Sequence, residues 1–243
     1  MTITIPRGKM LKVRDVRLER VSGPHPFEQA NERAIAETWA REKSANPSLF
    51  NGVATLLLSM ALDDQGLLHG CFHTIRYSTL LHWIRYPDSA VGEHVFAHAV
   101  PVSADGCFIA IRMAGHTANA GKCYFAAGSF DTDDIRDNRI DVDGNMRREV
   151  REEAGLDLME ARAESGYHLW RGESYTVLLR RYRFTQDADA MAQRIRAHVR
   201  VDPQPEIEGP VILGGGRERP GCLASHMTPI LDWLTAEAAF PAA

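Results

Sequence analysis

This 243-residue chain lacks many things, and each absence narrows what it can do. No apolar run is long enough to span a bilayer, so a membrane role is not expected. The opening residues, Met1-Thr2-Ile3-Thr4-Ile5-Pro6, lack the charged head and apolar middle of a secretion signal, and a cytoplasmic location is the expectation. Cysteine is scarce and scattered: Cys71, Cys107, Cys123 and Cys222 form no CxxC pair, which argues against a thiolate zinc site. Reduced, partly buried thiols are expected instead. Positive charge is not in excess, since 28 Lys and Arg against 32 Asp and Glu leave a net charge of −4. Neither nucleic acid nor an acidic membrane is therefore expected as a partner. No Gly-x-Ser-x-Gly elbow marks a nucleophile. Gly214-Gly215-Gly216-Arg217 lacks the GxxxxGK[ST] pattern of a phosphate cradle and reads as a flexible loop. What remains is an ordinary soluble composition, 44% hydrophobic and 25% charged, with length for one large domain or a small one fused to a medium one.

The most informative stretch that is present is Arg148-Glu149-Val150-Arg151-Glu152-Glu153-Ala154-Gly155-Leu156. Wound as a helix from Met146 at roughly 100° per residue, it puts Met146, Val150 and Ala154 on one apolar stripe. Glu149, Glu152 and Glu153, at i, i+3 and i+4, form a second face beside it. Gly155 is placed where a helix can end in the left-handed conformation. Like charges at that spacing repel by a few tenths of a kcal/mol per pair on an exposed helix, and by more where water is excluded. A hard divalent cation reverses the sign of that term. The same spacing also fits a solvated acidic face neutralised by Arg147, Arg148 and Arg151.

REVREEAGL resembles the second half of the Nudix box: Arg-Glu, a hydrophobic residue, any residue, Glu-Glu, any residue, Gly, and a hydrophobic residue. Arg148, Glu149, Val150, Glu152, Glu153, Gly155 and Leu156 fill every specified position. In that family the box forms a loop and helix whose glutamates hold the divalent metals that cleave a diphosphate. The resemblance implies Glu149, Glu152 and Glu153 as ligands of Mg²⁺ or Mn²⁺, with Arg148 orienting them. The first half of the box differs, because the family pattern would place a glycine at 134 and a glutamate at 140, where this chain has Asp134 and Ile140. A Gly128-Ser129 pair lies upstream, after Cys123 to Ala127, which reads as the strand leading into the box. The loop is then about six residues longer than the family norm (134 minus 128), with Gly128 as the displaced entry glycine. Asp141 and Asp143 are the candidates to replace the missing glutamate.

Along the chain, Leu11 to Leu18 alternates as a half-exposed strand does, and Phe27 to about Ser44 carries an amphipathic helical pattern. Val53 to Leu62 and Gly70 to Tyr77 read as a hairpin across Asp63-Asp64-Gln65-Gly66, and Ser78 to Trp83 as a short helix. Pro87-Asp88-Ser89 is the turn nearest a boundary, with an accessory α/β region at 1–92 and a hydrolase-like domain at 93–243. In the latter, strands at His98 to Val102, Cys107 to Arg112 and Cys123 to Ala127 precede the box helix. A strand at Tyr175 to Phe184, a helix at Asp187 to Val199, a strand at Pro210 to Leu213 and a closing helix from Leu223 to about Ala239 follow it. The interleaving favours an α/β fold with a mixed sheet. The resemblance makes that a Nudix-like α/β/α sandwich with an N-terminal α/β extension.

Nudix proteins commonly add an acidic residue from a loop downstream of the box. Glu206 and Glu208 flank one apolar residue in extended chain and so share a side, with Glu206 the favoured metal ligand and Glu173 a weaker one; an ordinary acidic turn is the plainer reading. His94 and His98 fall in a strand, where i and i+4 are far apart, and His69, Cys71 and His73 lie along a hairpin strand. Packing is expected of the first pair, and packing or a half-exposed strand face of the second group. Two functions of different classes fit. The first is a Mg²⁺- or Mn²⁺-dependent pyrophosphohydrolase acting on a nucleoside diphosphate linked to another group, with Arg148, Glu149, Glu152, Glu153 and Glu206 as its machinery. The second is a catalytically silent Nudix domain that binds a nucleotide or nucleotide sugar as a regulator or scaffold. The turn Leu49-Phe50-Asn51-Gly52, the long loop and the N-terminal extension resemble the branch that cleaves UDP-sugars, and the extension leaves room for a homodimer. A surface helix that holds no metal is a third reading.

Overall fold

The computed structural model describes residues 2–237. Its elements run β1 (Thr2–Ile3), β2 (Met10–Val13), β3 (Asp15–Arg20), α1 (Pro26–Ala30), α2 (Glu32–Ala45), β4 (Val53–Asp63), β5 (Leu67–Arg76) and α3 (Tyr77–Arg85). There follow β6 (His94–Val102), β7 (Phe108–Met113), β8 (Cys123–Tyr124), β9 (Ile135–Arg136), β10 (Arg139–Ile140) and α4 (Val142–Ala154). The chain closes with β11 (Arg162–Ala163), β12 (Tyr167–Arg171), β13 (Tyr175–Arg183), α5 (Ala188–Val201), β14 (Ile207–Leu213) and α6 (Met227–Ala236). The fold is α/β, and no helix among the described residues is long and apolar enough to cross a membrane. Two compact units divide the chain. One takes it through Ala97 with Gly128–Asn145 and Gly166–Leu178; the other takes His98–Ala127, Met146–Ser165 and Leu179 onward.

The first unit holds a mixed six-stranded sheet in the order β1-β4-β5-β3-β10-β9, with β3 parallel to β5 and the β4–β5 hairpin antiparallel. The hairpin forms where the turn residues allow it. Asp63 Oδ1 accepts the N–H groups of Gln65 and Leu67, and Gly66 takes the left-handed φ of +77° that the reversal needs. Under this sheet Phe27, Ala54, Leu56, Ile75, Leu80 and Trp83 form one buried cluster. Two elements differ from the sequence reading. The alternating run from Leu11 to Leu18 is two strands broken at Arg14, β2 pairing with β12 and β3 with β5, so one pattern serves two sheets. The helix expected from Phe27 is also two, parted at Asn31, whose side-chain amide bonds Phe27 O at 2.8 Å and closes the first piece.

The stretch ahead of the box helix is not an open loop. Asp137 and Asn138 adopt φ of 47° and 64°, the signs a two-residue hairpin turn requires, and join β9 to β10. Strand β10 then pairs with β3 at Arg139 and Glu19, so this hairpin lengthens the sheet.

In the second unit the strands run β14-β7-β6-β13, with β8 on β7 and β11 on β13. Asp187 caps α5 by accepting the Ala190 N–H at 2.8 Å. The closing helix α6 begins four residues later than expected, and the last part of the expected span, 238–239, lies outside the described residues. The expectation of four reduced thiols fails at one pair: Cys123 and Cys222 form a disulfide. Backbone bonds from Cys123 N to Cys222 O (2.9 Å) and from Ala224 N to Cys123 O (3.0 Å) bring the two Cα atoms to 5.5 Å. A sequence separation of 99 residues hides that pairing. Cys71 and Cys107 are free.

Candidate functional site

Helix α4 starts four residues before Met146 because Asp141 caps it: its carboxylate accepts the Gly144 N–H at 2.8 Å and its carbonyl the Asn145 N–H at 3.0 Å. Asp134, where the box pattern has glycine, is 2% exposed and accepts from Asn145 Nδ2 and Asp131 N, both at 3.0 Å. Ile140, where the pattern has glutamate, is buried. Asp143 accepts a hydrogen bond from the Tyr167 hydroxyl at 3.0 Å. The remodelled loop thus uses its acids to hold the start of the helix.

Within the second unit the expected apolar stripe is buried: Met146 and Val150 are fully shielded and Ala154 nearly so. Gly155 ends the helix at φ +64°, and a Cβ there would lie 2.5 Å from the His198 ring. Both the backbone turn and the close approach require glycine.

The three box glutamates meet different surroundings. Glu153 is buried, and its Oε2 accepts the Ala127 N–H at 3.1 Å, tying the helix to the stretch that follows β8. Burial holds its carboxyl well above the ordinary carboxylate range, the charges of Glu149 and then Glu206 push it further, and the Ala127 N–H opposes them. Glu149 is also buried and pairs with Arg148 Nη2 at 2.9 Å. Arg148 Nη1 reaches Glu152 at 3.2 Å, so one guanidinium links two of the three carboxylates. Glu152 is exposed, and His198 Nε2 sits 2.8 Å from its carbonyl oxygen.

Glu206 and Glu208 part company at a β-bulge. The register of β14 on β7 shifts between Ile207 and Gly209, at Glu208, whose carboxylate pairs with Arg112 at 3.0 Å. Glu206 lies just before β14, its carbonyl accepts the Ala114 N–H, and its charge acts on Glu153. Sequence reasoning missed Tyr124, which is buried beside these acids. Its hydroxyl oxygen accepts from Asn119 Nδ2 at 3.1 Å, and burial, then the charges of Glu153, Glu206 and Glu149, push its ionisation up. The signal lay in the strand-like Cys-Tyr-Phe-Ala-Ala, which nothing in its composition marks as more than core.

The groups whose charges act on Glu153 are carboxylates, Glu149, Glu206 and Glu152, the donor type that a hard divalent cation takes. The electrostatics suit such an ion, although among the described residues no three His, Cys, Asp or Glu side chains already close into a ligand group. His94 and His98 behave as packing residues. His94 lies against Phe96 and 3.2 Å from Ser129 Oγ, with its pKa lowered by burial to about 4. His98 stacks on His226, their Nε2 atoms 2.9 Å apart, a pairing across 128 residues that spacing along a strand does not show.

No family model and no curated protein matches this sequence. Solved structures do. A protein of Deinococcus radiodurans aligns at 12% identity over 74% of this chain and 98% of its own, with a TM-score of 0.41. The MutT protein of Methanosarcina mazei aligns at 15% identity over 59% and 93%, with a TM-score of 0.38. A protein of Nitrosomonas europaea aligns at 18% identity over 61% and 93%, with a TM-score of 0.35. The last of these is a NUDIX hydrolase.

Proposed function

We propose that the chain hydrolyses the diphosphate linkage of a nucleoside diphosphate joined to another group, with Mg²⁺ or Mn²⁺ held by Glu149, Glu153 and Glu206. One observation carries this reading: a buried Glu153 crowded by the charges of Glu149 and Glu206. A bound divalent ion would supply charge neutralisation at the phosphate oxygens and an activated water. The Ala127 N–H holds Glu153 in place, and Arg148 orients Glu149 and Glu152 together. Glu152 is exposed, and its carboxylate pairs with Arg148. Glu208 joins only if it leaves Arg112. Tyr124 keeps its proton, since its ionisation is pushed up, and has an O–H to donate to a neighbouring carboxylate or a phosphate oxygen.

A second reading, a silent domain that binds a nucleotide or nucleotide sugar, draws on Asp134 and Ile140. Both are buried in structural roles at the positions where the box has glycine and glutamate. A panel of UDP-sugars, ADP-ribose, NADH and coenzyme A, assayed with Mg²⁺ at mildly alkaline pH, separates the two. Hydrolysis of one member, lost in the Glu152→Gln/Glu153→Gln variant, is expected. Binding without turnover favours the silent domain, and turnover undiminished in the double variant places the chemistry elsewhere.

A further inference from the structure

We propose that the first unit carries a second binding site, independent of the glutamate cluster: a trough on the outer face of its six-stranded sheet that takes a phosphoryl-bearing small molecule. The register builds it. Across β4, β5 and β3, Ala61 faces His69 and His69 faces Arg17; one row along, Ser59 faces Cys71 and Cys71 faces Glu19. Leu18 and Leu68 are fully buried on the other side, so these rows stand on the outer face. Small side chains, Ser59, Ala61 and Cys71, keep the floor low; Arg17, together with Arg20 at the end of β3 and Asn138 in the adjoining turn, also lines the trough. The trough is open to solvent and its volume is about 620 Å³, within the roughly 300–1,000 Å³ typical of small-molecule sites.

Its charge selects the ligand. Glu19 is the one carboxylate in the lining, and it already accepts from two guanidinium groups, Arg17 Nε at 2.9 Å and Arg139 Nε at 3.2 Å. Arg20 has an amide for its partner: its Nε donates to Asn138 Oδ1 at 3.1 Å, and Asn138 Nδ2 returns a bond to Arg20 O at 3.0 Å. Two guanidinium groups therefore share one carboxylate while a third pairs with an amide, in a chain whose net charge is −4. Arg17 and Arg20 are the lining guanidinium groups that seat an anion. Planar guanidinium forks match phosphate oxygens in pairs. Ser59, Cys71 and His69 line the space beyond, as a sugar-like body would need. The residue that fixes Arg20, Asn138, belongs to the β9–β10 hairpin, so the extra residues ahead of the box helix build this site.

Titration calorimetry in EDTA tests it, with ribose 5-phosphate, inorganic phosphate and unphosphorylated ribose as probes. Saturable binding of ribose 5-phosphate and none of ribose are expected. Arg17→Gln and Arg20→Gln should each weaken binding about tenfold, the loss of one charge-assisted pair. Ser59→Glu, which puts a negative charge on the floor and leaves the arginines in place, should abolish it. Glu153→Gln should leave it unchanged, which separates this site from the glutamate cluster. The proposal is overturned if the wild type binds no phosphorylated probe, if Arg17→Gln and Arg20→Gln both bind as tightly as the wild type, or if Glu153→Gln removes the binding.

Discussion

Replacing Glu153 by glutamine should make the metal-free protein more stable at neutral pH, an unusual outcome for a change at a buried, hydrogen-bonded side chain. The amide keeps an oxygen to accept the Ala127 N–H and nearly the same volume, but it removes the charge that burial and Glu149 oppose. A carboxyl whose folded pKa is raised adds stability that is fully present at low pH. That stability is lost as pH climbs from the ordinary value of 4.5, where the unfolded chain releases its proton, to the raised value in the fold. Wild type and variant should therefore unfold alike near pH 4. Above it the gap should open by up to about 1.4 kcal/mol for each pH unit until the folded wild type ionises. Most other titrations cancel in the difference. Urea unfolding of both proteins in EDTA, at intervals from pH 4 to pH 8, measures it. Adding Mg²⁺ at the upper end should close the gap by stabilising only the wild type. If the variant is the less stable protein throughout, or the gap does not change with pH, the crowding argument is wrong.

Three further outcomes follow from the same structure. Gly155→Ala should cost at least about 1 kcal/mol, because the left-handed backbone penalises a Cβ and that Cβ meets the His198 ring, and a thermal melt reads the loss. Asp134→Ala should cost about 1–3 kcal/mol by orphaning the Asn145 amide and the Asp131 N–H, and restoring the box glycine with Asp134→Gly should cost at least as much. A stabilised Asp134→Gly protein in urea unfolding would contradict that role. Reduction, or Cys222→Ser, should lower the unfolding midpoint by an amount worth about 2–4 kcal/mol, since the cross-link closes a separation of 99 residues. Equal midpoints with and without a reducing dithiol would contradict it.

The sequence made some of this legible and hid the rest for physical reasons. Periodicity found the box helix, its buried stripe and its terminating glycine, because Met146, Val150, Ala154 and Gly155 are set by local geometry. It found the β4–β5 hairpin through turn residues whose hydrogen bonds are also local. It did not show that β2 and β3 belong to different sheets, since alternation reports which side faces inward and not which strand lies alongside. The β9–β10 hairpin escaped because Asp137-Asn138 lacks the glycine that usually announces such a turn. The partners at longest range, Cys123 with Cys222 and His98 with His226, carry no local signal. At the candidate site the family resemblance supplied Glu149, Glu152 and Glu153. Only the structure separates their surroundings, with Glu153 buried and crowded, Glu149 buried against Arg148, and Glu152 exposed at the other arm of the same guanidinium.

The central claim is that the carboxylate face holds a divalent cation, and Mn²⁺ binding followed by electron paramagnetic resonance tests it most directly. The wild type should take Mn²⁺ out of the free-ion signal with saturation, and Glu149→Gln/Glu153→Gln should not. A wild type that leaves the free-ion signal untouched, or a double variant that removes it equally well, would contradict the account.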